Sequence, residues 1–157
     1  MLRVFIGYDD RERIAYHVLS HSIQRRASIP VSITPLNRAT LTAVFDRPRG
    51  TYDSTDFSIS RFIVPYLCDY SGWAVFMDSD MLCTGDVAEL AGYMSLMDKY
   101  GVAVRCVQHE YTPSSETKFL NQRQSAYTRK NWSSMMLLNN NLCRALTPEY
   151  VNKAPGL

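Results

Sequence analysis

Two aspartates separated by one residue, Asp78-Ser79-Asp80, stand directly behind Trp73-Ala-Val-Phe-Met77, the clearest buried-strand pattern in the chain. Such a strand is rigid, and its last residues emerge where water and ligands can reach them. Two carboxylates at this spacing can face one cation, directly or through a water. Hard cations such as Mg²⁺ and Mn²⁺ prefer oxygen ligands and often take one or two carboxylates, with phosphates completing the shell. A cation there would act as a Lewis acid on a departing diphosphate. The same aspartates could instead form turns and caps. The buried strand before them and a capped helix after them bring the cation reading level with that one.

The elements that must position this pair follow from the pattern of apolar residues. Residues 2–7 read as a buried first strand, and Asp9 or Asp10 can cap a helix running to about Arg26. Val31 to Leu36 is a second strand, followed by a loop or mixed segment to Ser54. The pattern predicts a helix from Thr55 to Tyr70, kinked or broken at Pro65. Asp86-Val-Ala-Glu89 resembles a capping box, opening a helix that Gly101 ends near Tyr100. Val102 to Val107 and Met135 to Leu138 are further strands, with a polar, irregular stretch over 108–131 between them and a short helix from Leu142. Strands alternating with helices predict an α/β fold: a Rossmann-like, mostly parallel sheet with helices on both faces. Ligands of such sheets bind beyond the carboxyl ends of the strands. That places Tyr8 to Arg11, Asp78 to Asp80 and the loop after Val107 on one rim.

Composition narrows the classes. The 157 residues suit one domain, 1–157, and 46% apolar content is enough for a core. A net charge of +2 argues against a nucleic-acid binder recognised by charge. No apolar run approaches the roughly 20 residues of a membrane span, and the start reads as a strand rather than a signal peptide, so the expected location is the cytoplasm or the cytoplasmic side of a membrane. Cys68, Cys83, Cys106 and Cys143 form no CxxC pair and are expected as reduced, buried thiols. His17 and His21 lie four apart on the first helix without further ligands, which reads as a solvated face. His109 and Glu110 read as a loop pair at the rim. Arg123, Arg129 and Lys130, with Tyr127 and Trp132 interleaved, read as a solvated loop that could attract an anionic acceptor. There is no GxxxxGK[ST] and no GxGxxG after the first strand.

Several stretches together resemble a known family. Phe57-Ser-Ile-Ser-Arg61-Phe, then Pro65-Tyr-Leu, then Trp73 to Asp80 is similar to the family-8-type glycosyltransferases of GT-A fold, the glycogenin-like and lipopolysaccharide-galactosyltransferase-like enzymes. Their pattern is an arginine about seventeen residues ahead of a strand ending in DxD, and Arg61 and Asp78 keep that spacing. Phe5-Ile-Gly-Tyr-Asp-Asp10 resembles their first strand and nucleotide-contacting turn, and Asn131 to Asn139 their strand near the acceptor.

The resemblance implies that Asp78 and Asp80 bind Mn²⁺ or Mg²⁺ bridging the diphosphate of a nucleotide sugar, a UDP-sugar by preference, with Ser79 between them at the donor site. Arg61 would contact the donor, and Gly7, Tyr8 and Asp9 would line the base and ribose pocket; Asp9 and Asp10 could as well simply cap the first helix. Asn131, Trp132, Ser133 and Ser134 would lie near the transferred sugar or a carbohydrate or glycolipid acceptor, although Trp132 and Ser134 replace the family's asparagine and glycine. The outcome would be retention at the anomeric carbon. The family also supplies a downstream histidine to the metal, so the chain is expected to be incomplete at its C-terminal end; a homo-oligomer is left open. Two other readings stand beside sugar transfer. One is a non-catalytic nucleotide-sugar-binding module. The other is a nucleotidyltransferase, disfavoured because the turn after the first strand is acidic rather than glycine-rich and basic.

Overall fold

Leu2–Tyr8 forms β1, and alternation divides its side chains between two cores: Val4 and Ile6 to one side, Phe5 to the other. In the computed structural model, which describes residues 1–50, 53–110, 117–118, 122–123 and 132–155, three of the other four main-sheet strands divide likewise, whereas the side chains of Val104–Cys106 are exposed. The four are β2 (Val31–Asn37), β3 (Trp73–Met77), β4 (Val104–Cys106) and, after the paired dipeptides β5 (Thr117–Lys118) and β6 (Gln122–Arg123), β7 (Met135–Asn139). The five-stranded sheet has the order β2-β1-β3-β7-β4. β1 pairs parallel with β2 and β3, whereas β7 runs antiparallel to both β3 and β4. Four of the five strands therefore point the same way, as the mostly parallel expectation required.

Each face carries its own helices. On one, α1 (Arg13–Arg26) contributes Leu19 and Ile23, and α3 (Leu90–Tyr100) contributes Met97. On the other, a 3₁₀ turn over Ser60–Ile63 runs into α2 (Val64–Leu67), and α4 (Pro148–Lys153) adds Val151. Phe57 and Phe76 are both buried on this second side, each worth roughly 1.5–3 kcal/mol of transfer free energy.

Helix ends follow local chemistry. Asp9 caps the 3₁₀ turn Asp10–Glu12 that leads into α1, and Asp86 accepts from the Ala88 N–H at the turn before α3. Gly101 closes α3 at φ 63°, with its N–H and that of Val102 returning to the carbonyls of Asp98 and Met97.

Four expectations are corrected. Residues 55–70 are not one helix, and of the kink or break expected at Pro65 the structure has the break: Pro65 sits in the first turn of the short α2, where its missing N–H costs nothing, and the chain before it winds as 3₁₀. No α-helix begins at Leu142; a 3₁₀ turn over Asn140–Leu142 comes first, and the helix waits for the Thr147 cap and Pro148. The strand expected over 102–107 spans only Val104–Cys106, because the α3 cap takes up Val102. Cys68 and Cys143 are buried, but Cys83 is half-buried and Cys106, on a sheet edge with solvent on its flank, is exposed. No helix among the described residues is long and apolar enough to cross a membrane.

Candidate donor and metal site

β1 feeds α1 and β2 on one side of itself, and β3 returns to its other side. The chain therefore reverses direction across the sheet between β1 and β3. In open α/β sheets the crevice outside the carboxyl ends at such a switch point is where ligands bind. Tyr8 to Arg11 leave β1 there, and Asp78 to Asp80 leave β3. The antiparallel β7 enters the sheet on the same rim, with Met135 opposite Met77. The ladder continues one step further, as the Asp78 N–H donates to the Ser134 carbonyl at 2.7 Å. Trp132 to Ser134 are thus brought beside the Asp78 turn.

Asp78 is half-buried, Ser79 buried and Asp80 exposed. Asp78 Oδ1 lies 3.0 Å from a guanidinium nitrogen of Arg61. Arg61 itself is only 7% exposed. Its Nε donates to the Phe57 carbonyl at 3.3 Å, and a terminal nitrogen donates to the Ser133 carbonyl at 2.8 Å and to Ser133 Oγ at 3.3 Å. The guanidinium lies over the rings of Phe76 and Phe57, 4.8 and 5.6 Å from their centroids. A buried cation is tolerable only when paired and hydrogen-bonded, and Arg61 meets both conditions. Its planar fork joins three segments: the turn before α2, the end of β3 and the entry to β7.

The turn after β1 is built differently. Asp9 is buried, and its carboxylate accepts from the Arg11 backbone N–H at 3.0 Å, from Arg11 Nε at 2.9 Å and from the Asp56 N–H at 3.2 Å. The Arg11 guanidinium, then the backbone donors, hold this carboxyl down at about 2. Of the two roles open to Asp9, the cap is the one its hydrogen bonds make. Tyr8 directs its hydroxyl to Asp10 Oδ1 at 3.1 Å and packs edge-on to Tyr16. Gly7 faces the Phe57 ring so closely that a Cβ would stand 2.4 Å from it.

The donor set at the end of β3 suits a hard cation: two oxygen ligands, one of them exposed, flank Ser79, whose buried hydroxyl has no hydrogen-bond partner among the described residues. Among those residues no group of three or more His, Cys, Asp or Glu gathers as a metal cluster, so phosphates or water would complete the shell. His17 and His21 are exposed on α1. Trp132 Nε1 donates to the His109 carbonyl at 3.0 Å, tying the loop after β4 to the entry of β7. Asn131, Tyr127, Arg129 and Lys130 lie outside the described residues, as do the side chains of the 117–123 segment.

Sequence reasoning reached Arg61, Asp78 and Ser133 but not that they touch. It put Arg11 on the rim without its pairing to Asp9, and it missed Asp56, Phe57 and Phe76 as parts of the rim. The Asp9-x-Arg11 spacing was a usable signal for the first turn. No spacing announces that the neighbouring rings of Phe57 and Phe76 both carry an arginine.

No protein-family profile matches the chain. It is 48% identical over 161 residues to Protein CDI of Arabidopsis thaliana, a match covering 98% of the chain. The chain spans about 60% of that curated relative's length. Among solved structures it resembles the bifunctional glycosyltransferase WbbM, with a TM-score of 0.50 and 17% identity over 92% of this chain and 32% of that one. Mouse xyloside xylosyltransferase 1 gives a TM-score of 0.48 at 15% identity, over 96% and 72% of the two chains. The α/β fold that carries this rim is therefore one that a solved glycosyltransferase shares.

Proposed function

We propose that the chain is the donor-binding part of a glycosyltransferase, moving a sugar from a nucleotide sugar, a UDP-sugar by preference, to an acceptor hydroxyl. One observation carries the reading: at the switch point of a glycosyltransferase-like fold, Asp78 is held by a buried arginine with Asp80 exposed beside it. Asp78 and Asp80 are the residues that would hold Mn²⁺ or Mg²⁺. Such a cation would supply charge neutralisation on the departing nucleoside diphosphate.

The chain's own groups divide the remaining work. The half-exposed Tyr8 ring offers a stacking surface for the base on the β1 side of the crevice, while Asp9 and Arg11 keep that turn rigid. Arg61 adds positive potential close to where the diphosphate would sit, in a partly dry site where it counts for more than in water. Trp132 to Ser134 flank Asp78 from β7 and form the wall nearest the transferred sugar and acceptor.

The test is calorimetry of the purified chain with UDP-glucose and UDP-galactose, with and without Mn²⁺, followed by release of UDP on adding sugar acceptors. Mn²⁺-dependent binding that Asp78→Asn abolishes is the expected result. Absence of binding with Mn²⁺ present, or binding indifferent to Asp78→Asn, sinks the proposal. Binding without transfer would assign the chain as a nucleotide-sugar-binding module.

A further inference from the structure

Arg61 cannot easily follow a ligand. Its guanidinium is 3.0 Å from Asp78 Oδ1, bonded to the Phe57 carbonyl and to two oxygens of Ser133, and seated over the rings of Phe57 and Phe76. Swinging out to a donor would break all of these contacts together. We propose that Arg61 is instead a positioning residue that acts through Asp78: it orients that carboxylate and, as a fixed counter-charge, keeps the site's affinity for a divalent cation low until a nucleotide diphosphate arrives.

This inference rests on the reading of Asp78 and Asp80 as cation ligands. The charge balance gives its direction. Two carboxylates and one guanidinium leave a single net negative charge, which a divalent cation overcompensates. The cation must also share Asp78 with a guanidinium already in contact, in surroundings where like charges repel strongly. A diphosphate restores negative charge on the open side, so cation and nucleotide favour each other's binding. Reciprocity follows, because the coupling free energy is one quantity read from either ligand. Removing the positive charge while keeping the fold should make the empty site a better cation site, the opposite of what loss of a merely structural contact would do.

The experiment measures Mn²⁺ binding to the whole chain by the loss of the free-ion paramagnetic signal, with and without UDP, for the wild type, Arg61→Gln and Arg61→Lys. Circular dichroism confirms that each is folded. In Arg61→Gln, nucleotide-free Mn²⁺ affinity should rise on the order of tenfold, and most of the enhancement by UDP should vanish. Arg61→Lys keeps the charge and should bind nucleotide-free Mn²⁺ no tighter than the wild type. A folded Arg61→Gln that binds Mn²⁺ no tighter than the wild type overturns the inference. So does a folded Arg61→Lys that binds it tighter, or a wild type whose Mn²⁺ affinity UDP leaves unchanged; these decide the matter if Arg61→Gln does not fold. A wild type that binds Mn²⁺ neither alone nor with UDP removes the cation reading of Asp78 itself, and this inference with it.

Discussion

The turns after β1 and β3 each pair an aspartate with an arginine, and the two pairs serve opposite ends. At β1 the partners are two residues apart, and Asp9 gives its carboxylate to Arg11 and to the Asp56 backbone. It holds loop 54–57 in place. At β3 the partner, Arg61, comes from seventeen residues upstream, and the exposed Asp80 stands beside the paired Asp78. A carboxylate used up by local donors stabilises a turn. A carboxylate held on one side by a buried cation, beside an exposed neighbour, is on the proposed reading arranged to meet a ligand from solvent. The lesson is that acidic rim residues divide by what already engages them, not by residue type.

The comparison can be tested by substitutions that should strike both turns, one turn, or only binding. Phe57 is the shared support: its ring lies against Gly7 of β1 and backs Arg61. Phe57→Ala should therefore cost about 3–5 kcal/mol in urea unfolding, and also weaken Mn²⁺-dependent nucleotide binding. Loss of stability with unchanged binding would show that the two turns are not joined through this ring. Gly7→Ala approaches the same ring from the other side, because its Cβ would overlap Phe57 carbons at 2.4–2.6 Å. About 1–3 kcal/mol of destabilisation is expected from the forced repacking; a neutral result would mean the ring has room to retreat.

Asp9→Asn should act on the first turn alone. With the native carboxyl at about 2, below its ordinary value near 4, its contribution is present above about pH 4 and is lost as pH falls toward 2. The partner Arg11 is partly solvent-screened, so the expected cost at neutral pH is about 1–2 kcal/mol. The acid limb of a stability–pH curve should flatten, while Mn²⁺ affinity stays within twofold, about 0.4 kcal/mol. An unchanged acid limb would remove Asp9 as the anchor of that turn. The smallest effect on stability belongs to Asp80→Asn. As an exposed surface change it should shift unfolding by less than about 0.5 kcal/mol. Mn²⁺ binding in the presence of UDP should nevertheless fall by about tenfold, about 1.4 kcal/mol. Intact Mn²⁺ binding would make Asp80 an ordinary loop residue and erase the distinction between the turns.

Much of the framework around these turns is legible in the sequence. The strand at Trp73–Met77, the caps at Asp9 and Asp86 and the stop at Gly101 rest on local rules, and each appears where its residues put it. Around Pro65 local rules compete: the apolar spacing suits one long helix, whereas Pro65 fits only the first turn of a short one, and the proline wins. The exposure of Cys106 depends on which strand becomes the sheet edge, and no local pattern sets strand order.

By itself the sequence determined the α/β alternation, the rim on which both acidic turns lie, and the candidate chemistry of Asp78 and Asp80, because strand polarity and turn composition act over a few residues. Only the tertiary structure decided the partners. It placed Arg61 over the rings of Phe57 and Phe76, against Asp78 and Ser133, and it turned Asp9 inward while leaving Asp80 in solvent. Those arrangements arise from packing between elements far apart in the chain. There the cost of burying a charge selects whichever partners can pair with it, a choice that residue spacing does not encode.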